Sequence, residues 1–212
     1  MYIEDLKQFN ISETYPQFDD YIKKNNFTRV EELIQNCNSA DYILWLFTQT
    51  NPKDSRLLTL AKGQSVNLIR QLLDNETQEL LDVAISYGEN KATEEELRIA
   101  YETTLELTQK YLLIYRSLAE VFINLEYEHN KTTYFDTESS TKLAVALNDK
   151  NKAYEKYSAY LSVHYALFNS NYHASYTTIY ALTSIPKTQR DNLQRNMANI
   201  CRTFLPIEIW NI

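Results

Sequence analysis

With 212 residues, a net charge of −7 and a pI near 5.1, the chain is long enough for one sizeable domain or two small ones. It lacks the clustered Lys and Arg that a surface for a nucleic-acid backbone demands. Two glycines and four prolines exclude folds built on many tight turns, such as sandwiches, barrels and Rossmann sheets, because those turns need residues that tolerate positive φ.

The opening MYIEDLKQFN carries early acids and no long apolar core, so it does not read as a signal peptide. The longest apolar run, Tyr42 to Phe47, falls far short of the ~20 residues of a membrane helix. A soluble, cytoplasmic protein with no membrane partner is expected. Val30, Leu33, Ile34 and Cys37 recur at helical spacing. Ser39 stands in cap position before ADYILWLFTQT, and Pro52 closes that helix. In KDSRLLTLAKGQSVNLIRQLLDN, the residues Leu57, Leu58, Ala61, Ser65, Ile69, Leu72 and Leu73 share one face. Gly63 costs that helix ~1 kcal/mol but leaves room for another helix to pass close. ETQELLDVAISYG follows and stops at Gly88, read as a left-handed terminator.

The densest acidic cluster, Glu94, Glu95 and Glu96, raises the question of an active site. Thr93 and Glu96 have the spacing of a capping box, which places Glu94 and Glu95 in a first turn where the helix dipole favours negative charge. The triplet therefore starts a helix. From Thr93 to about Glu128 an apolar stripe runs from Leu97 through Tyr101, Leu105, Tyr111, Tyr115, Leu118 and Phe122 to Leu125. Arg98–Glu102, Glu106–Lys110 and Arg116–Glu120 lie at i,i+4 on the other face. HNKTTYFDTESS reads as a long loop. A second long helix is expected from about Ser140 to Asn169, with an interruption near NDKN, and its rows hold Tyr154, Tyr157, Tyr160, His164 and Tyr165. A shorter helix carries Tyr172, Tyr176 and Tyr180, Pro186 opens the last one, and PIEIWNI forms a docking tail. The expectation is an all-α fold: a single all-helical domain over residues 1–212, a bundle of about seven to nine helices, two of them long.

Chemical signatures are sparse. There is no P-loop, GxGxxG, HExxH or CxxC. Glu126-x-x-His129 matches half of a helical di-iron motif but lacks a second such pair. Asp19-Asp20 and Asn148-Asp149 lack the further ligands of acidic magnesium motifs. Cys37 and Cys201 sit in apolar segments and read as buried, reduced thiols. The tyrosines have no basic groove beside them, so they read as helix contacts or as a protein interface rather than as nucleobase platforms. No catalytic residue, cofactor or metal is expected, and no enzyme.

Two stretches carry a family resemblance. SADYILWLFTQT followed by SRLLTLAKGQSVNLIR resembles the Ala-Asp-Trp-Leu-Leu-Trp helix, and the Arg-x-Leu-x-x-Leu-Ala helix after it, of the immunity proteins of bacterial polymorphic-toxin systems. AISYGENKATEEELRIAYE is similar to that family's helix–Gly–turn–Ala-Thr–Glu-Glu-Leu/Val-Arg-x-Ala junction. The likeness covers residues 37 to 129; Tyr42 replaces the family's usual Trp, and the second half is less alanine-rich. It implies a cytoplasmic, non-enzymatic helical protein that binds and neutralises a cognate protein toxin by stoichiometric association. At the matching positions, Asp41 and Arg56 are expected to form a partly buried ion pair beside Trp45. Candidate partner contacts are the acidic face bearing Glu94, Glu95, Glu102 and Glu106, together with Tyr154 and Tyr157; a homodimer stays open. Two other readings remain: a helical adaptor or phage-encoded anti-defence inhibitor, and an enzyme with a tyrosine-lined cavity.

Overall fold

Between Gly88 and Pro186 neither glycine nor proline interrupts the chain, and in the computed structural model this stretch supplies helices of 38 and 31 residues. The structure describes residues 1–9, 11, 15–50, 55–131, 137–168 and 173–210. Among these residues there is no strand, and 86% of them are helical. In chain order the α-helices are α1 (Pro16–Asn25), α2 (Val30–Asn36), α3 (Ala40–Gln49), α4 (Ser55–Asn67), α5 (Asn75–Gly88), α6 (Glu94–Lys131), α7 (Thr137–Leu167), α8 (Ala174–Thr183) and α9 (Lys187–Phe204). With the seven-residue 3-10 helix Ile3–Phe9 they make ten helices of seven residues or more among the described residues, slightly more than the seven to nine expected.

All but a few of the buried apolar residues form one cluster running from Leu6 to Trp210. Leu44, Phe47, Ala61, Val66, Leu81, Ala84, Met197 and Cys201 are wholly buried within it, and each large side chain among them contributes about 1.5–3 kcal/mol relative to exposure. Helix α4 packs against α5, α7, α8 and α9, while α8 and α9 also cover α3. The apolar tail docks as expected: the Trp210 ring meets Phe47 edge to face at 5.2 Å, and its Nε1 donates to the Leu205 carbonyl at 3.0 Å.

Several local expectations change. Gly63 does allow close passage, since a Cβ there would lie 3.0 Å from Ile85 Cγ1. Gly88, however, is not a left-handed terminator. Neither glycine has positive φ; Asn90 takes that conformation at φ 61°. Gly88 is required because a Cβ would fall 2.4 Å from Leu60 Cβ and 2.8 Å from its Cα. Ser39 precedes α3 without capping it through its side chain, because its oxygen accepts from the Gln194 amide while its proton goes to Asp41. Helix α7 runs unbroken through 148–151, so the interruption at NDKN is not there. Of the expected loop, 129–131 and 137–140 are helical and 132–136 lie outside the described residues, as do Pro52 and Tyr172.

Helices α6 and α7 form an antiparallel hairpin. Thr104 meets His164, Tyr111 meets Tyr160, Tyr115 meets Tyr157, Lys150 lies over the Phe122 ring, and His129 meets Ser139. Among the less exposed positions one continuous series alternates by four and three residues: 104, 108, 111, 115, 118, 122, 125 and 129 on α6, and 139, 143, 146, 150, 153, 157 and 160 on α7, flanked by 107, 112 and 119 on α6 and 155 on α7. That 3.5-residue repeat is the seam of a two-stranded coiled coil. Thr108 is the last buried residue of α6 and Ser158 the first of α7. Beyond them the pair projects from the body as an arm of about 35 Å, at 1.5 Å per residue.

Candidate functional site

The base of α6 is built by local chemistry. Glu96 accepts from the Thr93 amide at 2.7 Å, and the Glu96 amide donates to the Thr93 hydroxyl at 3.2 Å, the reciprocal geometry of a capping box. Glu94, Glu95, Glu102 and Glu106 are all exposed. Arg98 binds two of them, Glu95 at 2.6 Å and Glu102 at 2.5 Å, and its hydrogen bonds hold the Glu95 carboxyl below its ordinary range. Of the three i,i+4 pairs expected along α6, only Arg98–Glu102 forms among the described residues. The acidic face borders a notch of about 290 Å³ lined by Glu94, Leu97, Arg98, Tyr101, Leu167 and Phe168.

The notch has a stacked aromatic floor. Tyr101 lies 4.7 Å from the His164 ring and 5.1 Å from Phe168, both near parallel. His164 Nδ1 is 3.2 Å from the Thr104 hydroxyl, and burial pushes its pKa down to about 4, so the ring is neutral. Beneath this floor lies a group that no sequence pattern marked. Lys62 is 1% exposed and donates through Nζ to the carbonyls of Tyr165 at 3.1 Å and Phe168 at 2.7 Å. These carbonyls close α7, where the helix dipole favours a cation. Burial pulls the Lys62 pKa down to about 7. A lysine between Ala61 and Gly63 in an apolar helix was the one available hint.

The two tyrosines proposed as partner contacts fall elsewhere. Tyr157 is a seam residue of the arm, parallel to Tyr115 at 6.4 Å between centroids, so its face is already covered. Tyr154 packs on Tyr115 at 5.1 Å but keeps an exposed edge. Neither adjoins the acidic notch. Tyr160 instead ties the arm to the body. Its hydroxyl donates to Asp74, the N-cap of α5 that also accepts from the Thr77 amide at 3.0 Å, and its oxygen lies 3.1 Å from the Tyr111 hydroxyl. Burial and the Asp74 carboxylate together push the Tyr160 hydroxyl above its ordinary range.

The expected Asp41–Arg56 pair does not form. Asp41 accepts from the hydroxyls of Tyr15 at 2.5 Å and Ser39 at 2.6 Å and from the Gln194 amide at 3.4 Å. Arg56 donates to the carbonyls of Tyr87 at 2.7 Å and Ala92 at 3.3 Å, with its guanidinium 4.0 Å above the Tyr87 ring. The two residues thus fix different junctions. Asp41 joins α1, α3 and α9 beside the stacked Tyr15 and Trp45 rings; Arg56 secures the turn from α5 to α6. Satisfying a buried carboxylate with neutral donors avoids desolvating a guanidinium as well.

Among the described residues no group of three or more His, Cys, Asp or Glu is arranged to hold a metal ion, and no helix is long and apolar enough to cross a membrane. Cys37 and Cys201 are free and buried, and burial pushes both thiols up to about 12, which leaves almost no thiolate at neutral pH. Comparison with known proteins finds no matching family, no matching curated protein and no matching solved structure.

Proposed function

We propose that the protein acts by binding another protein, as a cytoplasmic immunity protein that neutralises a cognate toxin by stoichiometric association. The supporting observation is the juxtaposition at the base of α6: exposed Glu94 on the wall of a notch floored by Tyr101 and Phe168, with Glu95 and Glu102 on the Arg98 that also lines it and Glu106 one turn further along the helix. An aromatic anchor site with a charged rim is the anatomy of a protein interface, and the rim selects a partner with a basic contact surface. The floor is held rigidly by Lys62 and by the His164–Thr104 contact, so little ordering is required on binding. The family resemblance of residues 37 to 129 supplies the identity of the partner class.

The test is co-expression with the toxin encoded beside its gene. Protection of the host and a co-purifying complex are expected, with Glu102→Lys/Glu106→Lys weakening the complex while leaving the circular dichroism unchanged. If neither protection nor a complex is found, the reading falls.

A further inference from the structure

A two-stranded coil covers only one face of each helix, and the outer part of the arm has more apolar surface than one seam can use. Val121 is 50% and Val145 54% exposed, and Ile114, one heptad before Val121, is exposed as well. Val121 and Val145 border a groove of about 350 Å³ between α6 and α7, floored by Leu118, Leu125 and Ala146. Its lining includes one cation and one anion, Lys142 and Asp149, both on α7 and seven residues apart. Residues seven apart lie on the same edge of a coiled helix.

We infer that this groove is a docking surface for a second copy of the chain. Residues 142 and 149 are equidistant from the midpoint between Val145 and Ala146. Two α7 helices laid antiparallel about a two-fold axis at that midpoint set Lys142 of each copy against Asp149 of the other. Val145 then meets Ala146 across the axis. A two-fold contact requires such self-complementarity, because one patch must serve as both halves of the interface. A heterologous helix of a single charge sign would be repelled at one end of the groove. Lys142 already pairs with Glu138 at 2.6 Å, but both side chains are well exposed, and the ammonium can serve both acids. The result is a four-helix bundle closed from two hairpins.

The arm's length allows this. From the axis to Ser158, where α7 enters the body, is about 19 Å at 1.5 Å per residue. The two bodies therefore sit at opposite ends of the bundle, and both acidic notches stay open. The inference does not depend on the identity of any toxin.

The experiment is sedimentation and light scattering of the full chain over a concentration series. A dimer is expected. Val145→Glu, at an exposed position, makes it monomeric with unchanged helicity. Lys142→Glu or Asp149→Lys alone sets like charges together at two symmetric places and raises Kd by about tenfold. Lys142→Glu/Asp149→Lys restores wild-type affinity. The proposal is overturned by a wild type that stays monomeric, by a dimer indifferent to Val145→Glu, or by a charge swap no tighter than the single reversals. A wild type that dimerises yet binds no toxin would count against the acidic notch only.

Discussion

The two glycines differ in what they tolerate, and the contrast tests how closely α4 and α5 cross. At Gly63, inside α4, an added Cβ meets Ile85 Cγ1 at 3.0 Å and nothing else closer than 3.5 Å. The neighbour is the movable end of a side chain, so the strain is small and is offset by the ~1 kcal/mol that alanine gains over glycine in a helix interior. Gly63→Ala is expected to fall within about 1 kcal/mol of wild type. At Gly88 the Cβ meets Leu60 Cβ at 2.4 Å, Cα at 2.8 Å and N at 2.9 Å. Those are backbone and first-carbon atoms of the crossing helix, which yield only if α4 and α5 separate. Overpacking of this kind costs about 1–3 kcal/mol, and at the last residue of α5 the propensity gain is smaller. Gly88→Ala should therefore lose about 2 kcal/mol, lowering Tm by about 4–8 °C in a chain of this length. Urea denaturation followed by circular dichroism measures both. If Gly88→Ala matches Gly63→Ala or exceeds it in stability, α4 and α5 do not cross as closely as described.

Two buried bases give stability a pH dependence of definite sign. Lys62 releases its proton near pH 7 when folded but near pH 10.4 when unfolded. Across that window the unfolded chain binds more protons, so stability climbs with pH by up to ~1.4 kcal/mol per unit; the cost of burying the ammonium is fully present below pH 7. Urea midpoints measured against pH should show this rise in wild type and a flatter course in Lys62→Met. His164, with a folded pKa of about 4, is neutral in the fold and charges on unfolding. Stability should fall as pH drops from about 6.5 towards 4, and His164→Asn should lessen that loss. Tyr160→Phe removes the hydroxyl that Asp74 accepts; a loss of about 1–3 kcal/mol is expected, together with an Asp74 carboxyl that titrates higher by NMR.

What could be read from sequence was the local chemistry. The Thr93–Glu96 box is decided by residues three apart, and the two long helices by the absence of Gly and Pro; both were legible, although the polar NDKN stretch wrongly suggested a break in the second. Partner choice was not. Asp41 and Arg56 have complementary charges on successive helices, yet α9 brings Gln194 to Asp41 and the α5–α6 turn brings two carbonyls to Arg56. Those neighbours are 153 and more than 30 residues away, beyond any local pattern. Lys62 shows the same limit, since its acceptors lie 103 and 106 residues away. Gly88 looked like a chain terminator because glycine often is one, whereas its constraint comes from Leu60. In the arm, the stripe from Leu97 to Leu125 was visible, but the alternating four-and-three repeat that separates a coiled hairpin from a globular helix emerges only once burial orders the residues.

The composition of that seam bears on how the two proposed surfaces relate. Thr104, Thr108, Tyr111, Tyr115, Ser139 and Lys150 occupy positions that a strong coil fills with Leu and Ile. The arm is therefore held by the apolar seam residues Leu118, Phe122, Leu125 and Leu143, by its Asp74–Tyr160 tie and, in the proposed dimer, by the second hairpin. The acidic face ends near Glu106 and the groove centres on Val121, about 22 Å further along α6 at 1.5 Å per residue. Sites separated by more than about 7–10 Å with no shared partner contribute additively. Val145→Glu combined with Glu102→Lys/Glu106→Lys should then lose dimerisation and toxin affinity each by the amount seen alone. A measured coupling between them would mean that the arm transmits strain between its ends, which a seam this polar is poorly built to do.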